Sequence, residues 1–122
     1  MRIFKNAWFQ RFARRENISD AALAETIARA VKGSVDTALG GNVIKQRIAR
    51  PRQGKSGGYR ALIVFRRGDR AFFVYGFAKK ERDNIRRDEL KVFKQVAKEL
   101  LALSDEQIEK LITVGGLTEV EL

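Results

Sequence analysis

Three runs of β-branched and aromatic residues, 42–50 (NVIKQRIAR), 59–67 (YRALIVFRR) and 70–79 (RAFFVYGFAK), follow one another with only short glycine-containing breaks between them. Such runs read as strands. The last two are parted by Gly68-Asp69, a break of hairpin-turn type, and the first two by PRQGKSGG. Connections this short admit only antiparallel neighbours, because a parallel crossover needs about a dozen residues or more. The spacing therefore predicts an antiparallel meander on which the remaining chain has to pack.

On either side the period changes. MRIFK at the start reads as a short edge strand, and in 6–17 (NAWFQRFARREN) Trp8, Phe9 and Phe12 share one helical face. Ser19 is an N-cap for a helix over 20–33, with Leu23, Ile27 and Val31 spaced by four and Gly33 as its stop. Residues 34–41 (SVDTALGG) read as a loop or a single turn. After the meander, 84–103 reads as a helix with Leu90, Phe93, Ala97, Leu100 and Leu101 on its core face and Asp88 and Glu89 in its first turn. Ser104 and Gln107 form a capping box opening a short helix over 105–114, stopped by Gly115-Gly116. The fold class expected is α+β: two N-terminal helices, an antiparallel β-meander, a C-terminal helix and a short C-terminal helical extension, with the helices covering one sheet face. At 122 residues the chain is expected to be one domain, 1–122, of which 104–122 is an acidic C-terminal extension.

The stretch RQGKSGGYR contains Gly54-Lys55-Ser56, the end of a nucleotide-binding P-loop, but the glycine required at position 49 is Ala and a strand, not a helix, follows. The turn has some other purpose. The chain has no cysteine and no histidine, which removes thiol chemistry, the commonest general base and the commonest metal ligands together. Catalysis would have to run on Lys, Arg, Tyr, Asp, Glu or Ser. No signal-like or bilayer-spanning apolar run occurs, so a cytoplasmic protein with no membrane partner is expected. Net charge is +10, and it is concentrated: residues 40–103 carry seventeen Lys and Arg against six Asp and Glu, whereas 104–122 carry one Lys against five acids. A field of that size attracts nucleic acid, an anionic membrane surface or an acidic protein, and composition does not choose among them.

Strand alternation says where the charge points. Ile44, Gln46 and Ile48 fall on one side of the first strand, and Lys45, Arg47 and Ala49 on the other. With neighbouring strands about 5 Å apart, Lys45 and Arg47 stand near Arg60, Lys79 follows at the exit of the third strand, and Lys55 lies on the glycine turn, whose free N–H groups suit a phosphate. The alternative is an ordinary solvated sheet face. Phe72, Phe73, Tyr75 and Phe77 suit either a base-stacking platform or the core, and their consecutive apolar run favours a strand buried on both faces.

The combination KQRIA, GKSGGYRALIVFRR and AFFVYGFAKKERDNI resembles the RelE/HigB-like toxins of bacterial type II toxin–antitoxin modules, in the RelE/ParE superfamily. The HigB-like branch is marked by GGYR before one strand and YGFAK-x-E after the next. The resemblance covers nearly the whole chain and is strongest from Lys45 to Ile85. It implies a small antiparallel sheet with two N-terminal helices and a C-terminal helix. It further implies a ribosome-dependent endoribonuclease (an mRNA interferase) that cuts mRNA in the decoding site, stops translation, and is held inactive by a co-expressed antitoxin, expected to be a helix-turn-helix DNA-binding protein. With histidine and cysteine absent and no tight carboxylate cluster in the strand region, no metal and no cofactor are expected. Carried over by position, the family's basic residues fall at Lys45 and Arg47 on the first strand, at Arg60 of GYR, and at the exit lysine Lys79 with Lys80 beside it. Lys55, supplying charge on the glycine turn, joins Lys45, Arg47, Arg60 and Lys79 as a catalytic candidate, Tyr59 is placed either to pack or to stack on RNA, and the scattered Arg50, Arg52 and Arg82 suit contacts to the RNA backbone, as does Lys80. Some relatives place a tyrosine or histidine near the last helix; residues 83–90 (DNIRRDEL) have neither. By the same resemblance the Trp8, Phe9 and Phe12 face is core or a groove for the antitoxin. Two other readings stand beside the nuclease: a ParE-like poison of DNA gyrase, which shares the fold, and a non-catalytic nucleic-acid-binding module. The density of cations favours the nuclease.

Overall fold

Ala61, Leu62, Ile63 and Val64 have no solvent exposure, which consecutive strand residues achieve only where both faces of a sheet are covered. The computed structural model describes residues 1–48 and 58–122. In chain order its strands are β1 (Arg2–Asn6), β2 (Thr37–Gly40), β3 (Val43–Ile48), β4 (Tyr59–Phe65), β5 (Arg70–Ala78) and β6 (Leu117–Glu119). The helices are α1 (Ala7–Arg15), α2 (Asp20–Val31), α3 (Arg87–Leu101) and α4 (Asp105–Thr113). The sheet order is β2-β3-β4-β5-β1-β6. Among the described residues no helix is long and apolar enough to cross a membrane.

The expected meander is present: β3 pairs with β4 and β4 with β5, all antiparallel. Three expectations are corrected. β1 is not an edge strand; it lies between β5, which it pairs in parallel, and β6. Both partners are remote in sequence, so no local signal marks the pairing. β2 forms within the stretch expected to be loop; it is a four-residue edge strand whose residues are half-buried and exposed in turn, too short to show a period. Finally, helices cover both sheet faces. Ile3, Ile44, Ile48, Ala61, Ile63 and Phe73 pack with α1 and α2, while Phe4, Val43, Leu62, Val64, Phe72 and Val74 pack with Ala97 of α3 and Ile108 of α4. The physical reason is that both alternation sets of β4 and β5 are apolar.

Helix starts follow local chemistry. Ser19 Oγ accepts from Ala22 N–H at 3.1 Å, and Ser104 and Gln107 cap each other reciprocally at 3.1 and 2.8 Å. Asn6 does two jobs, accepting from Phe9 N–H at 2.7 Å to cap α1 and donating from Nδ2 to Val74 O at 3.1 Å. That fixes α1 against β5, so Phe9 and Phe12 are buried; each contributes about 1.5–3 kcal/mol by leaving water. On α3 only Ala97 is fully buried, and Leu90, Phe93, Leu100 and Leu101 are half-buried against the sheet.

Two glycines in the distinctive sequence stretches are explained by close approach. A Cβ on Gly76 would stand 2.6 Å from the Phe12 ring, and one on Gly58 would stand 3.0 Å from Ile48 O. Phe12 has little room to yield, since its ring is held by Trp8, Phe9 and Tyr59 at centroid distances of 5.4, 5.5 and 5.6 Å.

A partly buried ion pair ties the two ends of the fold together. Lys5 Nζ on β1, 6% exposed, donates to Asp20 Oδ1 at 2.8 Å, and Asp20 Oδ2 accepts from Glu121 N–H at 2.8 Å. Burial works against the Asp20 carboxylate, but the Lys5 ammonium and the Glu121 N–H together outweigh it and hold its carboxyl below the ordinary value. A lowered folded pKa stabilises the protein above the unfolded value, about 4, and the benefit is lost as pH falls through the folded value.

Two predictions follow from the packing and from this pair. Gly76→Ala should cost about 1–3 kcal/mol of overpacking, read from the urea midpoint, and the cost should shrink in a Phe12→Leu background where the obstructing ring is gone. Stability should hold steady from pH 7 to about 5 and fall below about 4. Asp20→Asn should lower stability at pH 7 and flatten part of that acid slope; Glu119, held low chiefly by its hydrogen bond from Arg2, contributes another part.

Candidate functional site

The register places Arg47 of β3 directly opposite Arg60 of β4, and Arg60 opposite Phe77 of β5. Phe65 N–H donates to Asn42 O at 2.8 Å. From that bond the alternation along the ladder makes Arg47–Arg60 a non-hydrogen-bonded pair, the kind in which opposed side chains stand closest. Like charges so placed are destabilising, by up to about 1 kcal/mol in an ordinary sheet. The fold accepts a local penalty here.

The frame around Arg47 shows how it is held. Its N–H donates to Asp36 Oδ2 at 2.6 Å, and its carbonyl accepts from Arg29 Nη2 of α2. These two side chains replace the ladder that β2 would supply, because β2 pairs only as far as Lys45. Asp36 is itself fixed by Gln46, a buried residue on the opposite face, whose Oε1 accepts from Asp36 N–H at 2.6 Å while its Nε2 reaches Thr26 O and Ser34 O at 3.3 and 3.2 Å. All of these contacts bind backbone or amide groups. The Arg47 guanidinium is left out of them.

Arg60 is half-buried, and burial first, then the Arg47 charge, lowers its pKa, with Asp36 opposing. Among the described residues its hydrogen bond is weak, a 3.4 Å contact from Nη1 to Tyr59 O. Lys79 lies just past β5, its N–H donating to Gly58 O at 3.2 Å, which sets it beside the start of the strand that carries Arg60. Lys79 and Lys80 are exposed. Lys45 is half-buried, and its Nζ donates to Asn84 Oδ1 at 3.2 Å. Among the described residues none of Lys45, Arg47, Arg60, Lys79 and Lys80 has a carboxylate within ion-pair distance, although twelve such contacts occur elsewhere. Lys45, Arg47 and Arg60 share one sheet face by register, with Lys79 and Lys80 in the turn that follows β5; guanidinium and ammonium groups without a paired carboxylate suit a phosphodiester and its more highly charged transition state.

Other expected site residues sit differently. Arg50, Arg52 and Lys55, with the whole glycine turn as far as Gly57, lie outside the described residues. Tyr59 is corrected as an RNA contact: it is 1% exposed, its ring meets Phe12 edge-on, and its hydroxyl donates to Glu16 Oε1 at 2.7 Å. One position before Arg60, it faces the α1–α2 core. Arg82 does not stand free among the cations. It pairs with Glu89, donates to Tyr75 Oη at 2.9 Å and to Asn84 O at 2.7 Å, and lies 5.7 Å over the Tyr75 and Phe77 rings. The hydrogen bond from Arg82 is the main reason the Glu89 carboxyl is held below the ordinary value. Phe72, Phe73 and Phe77 are buried as core residues, and Tyr75 is half-buried between Trp8 at 4.6 Å and Phe93 at 5.5 Å. Asp36, Arg29 and Asn84 were absent from the sequence reading, since contacts from a side chain to a distant backbone or amide leave no pattern.

A family model described as the RelE toxin of the RelE / RelB toxin-antitoxin system matches residues 1–120. No curated protein matches the chain significantly. With the match running from β1 through β6, and with the α+β sheet and its cation-lined face in place, the chain belongs to the RelE toxin family, the toxin half of a toxin–antitoxin pair.

Proposed function

We propose that this toxin is a metal-independent, ribosome-dependent endoribonuclease that cuts mRNA and thereby stops translation. The observation that carries the reading is the Arg47–Arg60 pair, two opposed guanidiniums with no carboxylate in ion-pair distance among the described residues. An anion between them would relieve their repulsion, and a phosphorane carries more negative charge than the phosphodiester it forms from. The site is therefore better matched to the transition state than to the substrate.

In this reading the 2′-hydroxyl of the mRNA attacks the adjacent phosphorus. The O2′–P bond forms, the P–O5′ bond breaks, the 2′-proton passes to a base and the leaving 5′-oxygen gains a proton. The products are a 2′,3′-cyclic phosphate and a 5′-hydroxyl. Arg47, Arg60 and Lys79 stabilise the equatorial oxygens, with Lys45 and Lys55 adding charge. Alignment of mRNA in the decoding site supplies as much as about 7–11 kcal/mol of the barrier, so the protein itself needs little acid–base power. Lys80, Arg50 and Arg52 hold the RNA backbone through charge. The family supplies the inhibitory partner, an antitoxin, and a helix-turn-helix protein fits that role.

The test is single-turnover cleavage of mRNA on saturated ribosomes, with folding of each variant checked first. Removing a donor aimed at developing charge costs about 2.7–4 kcal/mol, so Arg60→Ala and Lys79→Ala should each slow cleavage on the order of a hundredfold or more while ribosome binding stays largely intact. Arg52→Ala should instead weaken binding and its salt dependence with a smaller effect on the bound rate. Wild-type rates from both Arg60→Ala and Lys79→Ala would move the site elsewhere. A wild type that leaves mRNA whole while inhibiting gyrase would replace the nuclease reading with the ParE-like one.

A further inference from the structure

The turn between β5 and α3 contains a chain of contacts that ends on a cation of the site. Glu89, in the first turn of α3, accepts from Arg86 N–H at 2.7 Å and from Arg82. Arg82 Nε donates to Asn84 O at 2.7 Å, while its guanidinium is fixed by Tyr75 Oη and lies over two aromatic rings. Asn84 Oδ1 accepts from Ile85 N–H at 2.9 Å and from Lys45 Nζ at 3.2 Å. Both partners of that oxygen are donors, so the orientation of the amide is set by chemistry.

We propose that Asn84 is a positioning residue that holds the Lys45 ammonium over the phosphate site, and that the Arg82–Glu89 pair serves to hold Asn84. The choice of an amide has a chemical logic. A carboxylate would hold Lys45 more tightly but would cancel its charge, whereas the neutral amide oxygen engages one of three ammonium protons and leaves the charge and the other two for RNA. Arg82 presents several donors at fixed angles, to Glu89, to Tyr75 and to Asn84 O, a task that the point charge of a lysine cannot reproduce. The arrangement gives Arg82 a different job from a phosphate contact: its own charge is already engaged by Glu89.

The role of Asn84 in cleavage rests on the proposed nuclease reading, so one measurement is made without it. In the free protein, the NMR order parameter of the Lys45 ammonium should be high, and should fall in Asn84→Ala and in Arg82→Lys. Equal mobility in all three overturns the proposal, whether or not the protein cuts RNA. In single-turnover cleavage, Asn84→Ala should slow the bound rate by about tenfold, the worth of one hydrogen-bonded constraint, with ribosome affinity unchanged. Asn84→Asp, which restores the contact but adds a charge, should be slower still. Arg82→Lys should fail to rescue; full rescue would mean that Arg82 acts on RNA as a charge, and would overturn its part. In a Lys45→Ala background, Asn84→Ala should have no further effect beyond about twofold. A full tenfold loss there means that Asn84 does not act through Lys45, and overturns the proposal. A wild type that leaves mRNA uncut removes the nuclease reading while the NMR comparison still decides the positioning claim.

Discussion

The register of β4 between β3 and β5 is the constraint on which the rest depends. Four consecutive residues of this strand are excluded from water, so a slip of one position would exchange the residues presented to two different helical layers at once. Its register brings Arg60 opposite Arg47 on one side and opposite Phe77 on the other. Two guanidiniums that repel each other are thus held together by the apolar packing of the four residues that follow Arg60, Ala61 to Val64, where the energy is larger than the repulsion.

A common design runs through the surrounding polar contacts. Groups that fix the site do so through neutral atoms or backbone: Asp36 and Arg29 grip the Arg47 peptide, Gln46 grips Asp36, and Asn84 grips Lys45. Carboxylate–cation pairing is kept to cations with structural work, such as Lys5 with Asp20, Arg2 with Glu119 and Arg82 with Glu89. Among the described residues the three cations Lys45, Arg47 and Arg60 stand outside that pairing, with no carboxylate in ion-pair distance, and net charge alone does not show that difference.

Features with short-range chemistry were legible in the sequence. Ser19 and the Ser104/Gln107 box cap the helices they were expected to cap, the Gly68-Asp69 break closes the β4–β5 hairpin, and alternation put Lys45 and Arg47 opposite the core face holding Ile44 and Ile48. The same alternation, applied one position earlier than Arg60, would have sent Tyr59 into the core; proximity to a basic motif obscured it. What was not legible depends on distant partners. The parallel place of β1, the edge strand at Thr37–Gly40 and the backbone grips on Arg47 all join segments whose relation appears only once the chain is folded. The glycines fall between these cases: GGYR and YGFAK were visible as motifs, but the need for Gly76 rests on the Phe12 ring of a helix far away in sequence.

The placement of β1 has a consequence for how the protein is made. β1 cannot be completed by its neighbours in sequence: it waits first for Arg70–Phe73 and then for Leu117–Glu119, with Val120 N–H donating to Ile3 O and Glu121 N–H reaching Asp20 behind it. Pairings of such separation form late, because the loop must close before the contact is gained. The meander, by contrast, can assemble from contiguous residues. Synthesis in chain order therefore gathers the cation-bearing strands before β1 is clasped on its far side, and the sheet is complete only once β6 has been translated.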